Sequence, residues 1–325
     1  MKKKLALGLS AVLAVSVLGS SAVMAAPETT EVYHIGICQL VQHAALDAAT
    51  QGFEDAIIEE LGEDAVEFDV QDASGDSATC ATIVNKFVSA NVDLILANAT
   101  APLQAAAQAT ADIPVLGTSV TDYASALDIA DWTGKTGYNV SGTSDLAPLS
   151  EQAVMLNELF PDAKTVGILY CTAEANSLYQ ANVITEELTA LGYEVTSYGF
   201  TDTNDVASVT QNACDNSDVI YVPTDNTVAS NTGIIDQIAR PAGVPIVGGD
   251  EGMCLGCGVA TLAISYYDLG YTTGKMAVEI LANGADITEM DVQFAPQVTK
   301  EYNEEICADL GIEIPEDYVA IATEE

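Results

Sequence analysis

From Tyr33 almost to the C-terminus, short runs of apolar and β-branched residues alternate with longer amphipathic stretches. This is the pattern of a parallel sheet wrapped by helices, because each return to a parallel strand needs a helix-length crossover. In the first half the strand-like runs are Val32 to Cys38, Val66 to Val70, Val92 to Ala97 and Ile113 to Gly117. In the second half they are Val166 to Tyr170, Tyr193 to Gly199, Val219 to Val222 and Val244 to Val247. Between the first two runs, Leu46, Ala49, Phe53, Ala56, Ile57 and Leu61 fall on one stripe at helical spacing, and Gly62 follows as a helix stop.

The halves echo each other. Val92 to Thr100 is matched by Ser217 to Asn226, and Ile113-Pro114-Val115-Leu116-Gly117 by Val244-Pro245-Ile246-Val247-Gly248. Each half reads as one doubly wound lobe, which gives an α/β chain of two parallel-sheet lobes. The run Val259 to Ile264 reads as a crossing back to the first lobe. A helix opens near Tyr266, and the strand candidate Val292 to Val298 leads into a helix-like Glu301 to Leu310. Several crossings make a multi-strand hinge. The expected division is 32–141 with 265–290 for the first lobe and 142–264 with 291–325 for the second. Ligands of such sheets gather beyond the carboxyl ends of the strands, so polar residues just after a strand are the ones to inspect.

Ahead of this region, Lys2 to Lys4 precede an apolar run from Leu5 to Leu18, with small residues up to Ala26. That is the layout of a secretory signal peptide, with cleavage expected after Ala25. A membrane-spanning helix needs roughly 20 apolar residues, and this run is shorter. Removing it takes three of the nine basic residues and none of the 48 acids, so the net charge moves from −39 to −42. So acidic a chain repels phosphate backbones, which excludes nucleic acid as a partner. An apolar fraction of 49% excludes a disordered acidic chain.

His34 and His43 stand nine positions apart, with no third ligand in reach of the pattern, so no metal site is expected. The chain has seven cysteines, and export makes disulfides possible. Cys254-Leu255-Gly256-Cys257 has CxxC spacing in a glycine-flanked stretch that reads as a loop, where a small structural disulfide is expected and a thiol oxidoreductase is the competing reading. Cys38 and Cys171 end strands, as buried thiols or as partners of Cys80 and Cys214. Nucleophile elbows, phosphate-cradling glycine loops and HExxH motifs do not occur, and no cofactor is expected.

Several stretches carry a resemblance: Ile35 to His43, Ala45 to Ala48, Tyr170 to Ser177, Tyr221 to Thr227, Gly249 to Gly252 and Tyr266 to Lys275. Through them the chain resembles the ABC transporter substrate-binding proteins that include tryptophan and tyrosine binders. It departs from the family's usual proline at Ala44 and Tyr123. The resemblance implies a type I periplasmic-binding fold, no catalysis, a monomer, an amino-acid ligand of aromatic type held between the lobes, and a membrane permease as partner. A ligand sensor feeding a receptor would share these features. With no Cys at the end of the apolar run to take a lipid, a free periplasmic protein is expected.

The expected ligand-binding positions follow strands: Gln39 and His43, Thr100 and Ala101, Thr121 and Asp122, Glu174, Asn176 and Ser177, Asp225 and Asn226, and Asp250 and Glu251. Asp225 and Asp250 are expected to hold an ammonium group, with Thr100 and Ser177 donating to a carboxylate. Thr100 and Asn176 also suit helix capping. Tyr33, Tyr123, Trp132, Tyr170, Tyr179 and Tyr221 are expected to supply aromatic walls.

Overall fold

The structure, a computed structural model, describes residues 32–295 and 297–322. The expected signal peptide lies outside the described residues. The first lobe runs β1 (Tyr33–Gln39), α1 (Ala44–Leu61), β2 (Val66–Asp72), α2 (Ser77–Ala90), β3 (Leu94–Asn98), α3 (Thr100–Ala109), β4 (Val115–Val120), α4 (Tyr123–Ala126) and β5 (Val140–Ser144). The second runs α5 (Leu149–Leu159), β6 (Thr165–Cys171), α6 (Ala175–Ala190), β7 (Glu194–Phe200), α7 (Val206–Asn216), β8 (Val219–Val222), α8 (Asn226–Ala229), α9 (Thr232–Ala242), β9 (Ile246–Gly248), α10 (Glu251–Cys257) and β10 (Ala260–Ala263). The chain then returns through α11 (Tyr266–Leu281) and β11 (Gln293–Phe294), and ends in β12 (Thr299–Tyr302), α12 (Glu304–Leu310) and β13 (Val319–Ala320).

The first sheet has the order β11-β5-β4-β3-β1-β2, and the second β13-β12-β10-β9-β8-β6-β7. All described pairings are parallel except β10 with β12. Both sheets reverse direction at one place, between β1 and β3 and between β6 and β8, and these are the switch points where a doubly wound sheet opens a crevice. Apolar clusters cover both faces of each sheet, which is why the inner strands read as unbroken apolar runs and do not alternate.

Two sequence expectations need correction. β5 and β11 belong to the first sheet, so the crossings after β5 and after β11 fall a few positions beyond the expected boundaries, while the one at 264–265 lies where it was expected. β5 was invisible because Val140-Ser141-Gly142-Thr143-Ser144 is rich in small polar residues, although every one of them is buried. The expected strand Val292 to Val298 reduces to the two-residue β11, after which the chain crosses to the second sheet, where β12 begins at Thr299.

The first lobe is tied to the returning helix by close packing of α1 on α11. A Cβ on Gly270 would overlap the carbonyl of Ala49, and one on Gly52 the carbonyl of Tyr267, so only glycine lets these two backbones approach.

Candidate functional site

The carboxyl ends of both sheets meet around one chamber, which its own side chains close down to about 10 Å³. The first lobe contributes His43, Leu46, Ser119 and Thr121, and the second Asn176, Thr224, Asp225, Asn226, Ala229 and Asp250. Asp145 and Tyr266 enter from the crossings. That is far below the ~300–1,000 Å³ of small-ligand pockets, so the side chains that line it must part to admit an amino acid. A second space of about 420 Å³ shares Asn176 and Asn226 with the chamber and runs outward between Leu40, Val41, Thr100 and Ala101 on one side and Ala173 and Glu174 on the other.

Side chains meet across the cleft. His43 Nε2 lies 3.2 Å from Asn226 Oδ1, and Gln180 Nε2 donates to Thr121 Oγ1 at 3.4 Å. The lobes are therefore closed on each other.

Three buried carboxylates surround the chamber, and among the described residues no Lys or Arg lines it. Burial raises the Asp145 carboxyl to about 6, against hydrogen bonds from Tyr266 and Thr121, and Asp250 adds repulsion. Tyr266 Oη donates to Asp145 Oδ2 at 2.9 Å, while Asp145 Oδ1 is buried with no partner. Burial also raises Asp250, which caps α10 by accepting from Met253 N at 2.8 Å, with nearby His43 working against the shift. Asp225 is pushed to about 8 by burial and by Glu174. Its oxygens are already engaged, Oδ1 by Val228 N at 2.8 Å and Oδ2 by Cys171 N at 2.7 Å, with the Ser177 hydroxyl as a further donor. A cationic group entering the chamber would relieve this concentration of negative charge.

Of the expected positions, the structure brings His43, Thr121, Asn176, Asp225, Asn226 and Asp250 to the chamber. Thr100, Ala101 and Glu174 line the outer space. Four residues lie elsewhere. Gln39 is turned into a network with Asp47 and Thr50. Asp122 caps α4 through Ser125 N at 2.7 Å. Ser177 is fully buried behind Asn176, and Glu251 faces a separate cavity near the hinge. Glu174 is saturated by Asn176, Asn226 and Thr227, with bonds of 2.7 to 3.1 Å.

Neither expected cap forms. α3 starts with Ala99 as its N-cap and the Thr100 hydroxyl has no partner, while Asn176 donates to Thr224 O.

The expected aromatic walls are also elsewhere. Tyr123, Tyr170 and Tyr221 are core residues, Trp132 packs against the first-lobe core, and Tyr33 bonds Leu281 O. Tyr179 is partly buried and near Asp122, outside the chamber lining. Tyr266 is the aromatic ring that lines the chamber, together with the His43 imidazole. Asp145 and Ser119 were missed because the first follows the unrecognised β5, and the second sits where β4 slips register against β5.

The expected Cys254–Cys257 disulfide is not formed. Both residues lie on α10 and not in a loop, and all seven cysteines are free and buried. Burial pushes both thiols well up, which disfavours the thiolate a redox nucleophile needs.

The model of the ABC transporter substrate binding protein family matches residues 34–325. A tyrosine-binding protein of Clostridioides difficile (strain R20291) is 37% identical over 250 residues, 76% of this chain and 72% of that protein. The solved ABC domain in complex with L-Trp from Streptococcus pneumonia is 33% identical, with a TM-score of 0.84 over 88% of this chain and 97% of that one. A ligand-free, open substrate-binding protein with adhesive properties from Clostridium difficile is 38% identical but scores 0.68, over 90% of this chain and 100% of that one. The more identical chain superposes less well.

Proposed function

We propose that this chain, which belongs to the ABC transporter substrate binding protein family, captures an aromatic amino acid in the interlobe chamber and presents the closed form to its permease. As a family member it is an extracytoplasmic binding component of an ABC transporter, and the apolar leader fits that route. The finer placement we propose is a periplasm, with no chemical step carried out on the ligand.

The observation that carries the ligand class is the unpartnered Asp145 Oδ1, buried beside Asp250 in a chamber whose described lining holds His43 but no Lys or Arg. A primary ammonium is the group that such a pair favours, since a buried charge needs a partner. The Ser119 hydroxyl, also buried without a partner, offers a donor to the ligand carboxylate. Aromatic preference rests on the L-Trp complex and the tyrosine-binding relative, with Leu46, Ala229 and Tyr266 as apolar lining.

A thermal-shift screen of the purified protein against the twenty amino acids tests the reading, since a ligand of the native state raises the melting temperature. Shifts with Trp, Tyr or Phe are expected. Shifts confined to branched-chain amino acids or sugars would overturn the assignment.

A further inference from the structure

We propose that Cys38 and Cys80 form a disulfide that fastens the end of β1 to the first turns of α2 in the exported protein. Cys38 is the penultimate residue of β1 and Cys80 the fourth of α2. Both are fully buried in one apolar cluster of the first lobe. The helix lies directly over the strand. A Cβ on Gly36 would meet the Phe87 ring, and two residues along β1, two helical turns back along α2, the Cys38 and Cys80 side chains come together in the same cluster. The first turn of α2 is held in place by Asp76, which accepts from Thr79 N at 2.7 Å through its side chain and from Cys80 N at 3.0 Å through its carbonyl.

Exchange must take place while the first lobe is still folding, because both thiols are fully buried once it has formed. In exchange with an external disulfide, the thiolate of either cysteine displaces one thiolate and forms a mixed disulfide. The other cysteine then loses its proton and displaces the second thiolate, so two electrons pass to the external disulfide, which leaves as two thiols. By contrast, the thiols of Cys171, Cys257 and Cys307 are occupied by the carbonyls of Thr201, Met253 and Val259. Four residues beyond β1, His43 enters the ligand chamber, so the link would also steady the segment that carries it.

The inference rests on the extracytoplasmic reading for its oxidising compartment, and its test is separable from ligand binding. The secreted protein, and the same protein reduced, unfolded and refolded with reduced and oxidised glutathione, would be alkylated in denaturant and digested without reduction. No Lys or Arg lies between Cys38 and Cys80, so cleavage must be at acidic residues, not with trypsin. The expected product is a Cys38 peptide joined to a Cys80 peptide in both samples, absent from Cys80→Ser. Reduction of the intact protein should lower its melting temperature by about 5 °C or more, because the link closes a long loop of the unfolded chain. Recovery of both residues as alkylated thiols from the refolded sample, or either one joined to a different cysteine, would overturn the proposal whatever ligand the protein binds.

Discussion

His43 of the first lobe and Asn226 of the second meet at 3.2 Å across the cleft, and the surrounding bonds give that contact a direction. Asn226 Nδ2 donates to Glu174 Oε2 at 2.7 Å, which fixes the amide and leaves Oδ1 to accept. His43 must therefore donate from Nε2. Glu174 in turn takes Asn226 N and both the N–H and hydroxyl of Thr227, so the start of α8 is clamped before the lobes meet. The contact exists only in the closed form and adds to the free-energy difference that selects it.

His43→Ala should accordingly weaken ligand binding about fivefold, the equivalent of about 1 kcal/mol for one net hydrogen bond. Small-angle scattering of the ligand-free variant should show a larger radius of gyration than the parent. Unchanged affinity together with an unchanged radius would show that the contact does not help to hold the lobes shut.

Binding should strengthen as pH rises. The folded Asp145 carboxyl sits near 6, above the ordinary 3.8, so its ionisation opposes folding of the ligand-free protein. Stability from this group is greatest below the unfolded value and is lost as pH climbs through about 6, and Asp225, raised to about 8, acts in the same direction. The ligand ammonium requires the carboxylate, so below about pH 6 it must displace a proton, and affinity should fall by up to tenfold per unit. Calorimetry at pH 7.5 and 5.0, in buffers of different ionisation enthalpy, should find the tighter binding at the higher pH and proton release at the lower. Equal or tighter binding at pH 5.0 would place the ammonium elsewhere.

The carboxylates should separate by role. Asp145→Asn keeps an acceptor for Tyr266 but removes the charge paired with the ammonium, a loss on the order of 2 to 5 kcal/mol in binding. Its ligand-free melting temperature should not fall, since a buried charge has been removed. Asp225→Asn should do the reverse. Its carboxylate serves donors on both oxygens, and an amide can accept only at one, so about 1–3 kcal/mol of stability should go with the lost bond. Thermal melts and calorimetry on the two variants would show the crossed pattern; parallel losses would remove the distinction.

Much of this architecture is legible in the chain. The buried parallel strands announce themselves as apolar runs, and the echo between Val92–Thr100 and Ser217–Asn226 places β3 and β8 at matching places in two lobes. The rule that polar residues after strands face the cleft finds His43, Thr121 and Asp250. It fails where the strand itself has no apolar signature. β5 is Val-Ser-Gly-Thr-Ser, packed by Thr118, Thr143 and Thr273 hydroxyls bonding one another, so Asp145 behind it had no marker. It also cannot tell a residue that faces the chamber from one consumed by the scaffold. Glu174 and Asp225 look alike in sequence to Asp250, and only the geometry shows the first saturated by α8 and the second spent on Cys171 and Val228.

Ser119 offers the sharpest test of the carboxylate side of the chamber. It has a φ of 55°, in the left-handed region, at the point where β4 loses register with β5. Its hydroxyl is buried without a partner and it lines the chamber. Strain of this kind costs on the order of 1–3 kcal/mol and persists where a site gains from it. A buried hydroxyl left unbonded costs about 1–3 kcal/mol more in the ligand-free protein, a cost that a ligand carboxylate would remove by accepting from it. Ser119→Ala keeps the backbone strain but deletes the unbonded group, so the ligand-free melting temperature should stay level or rise while affinity drops about fivefold, near 1 kcal/mol. Ser119→Gly should lose affinity to the same degree and also relax the left-handed backbone, so it should melt no lower than the alanine variant. If both variants bind as tightly as the parent, the hydroxyl does not face the ligand, and the carboxylate must be held by backbone N–H groups.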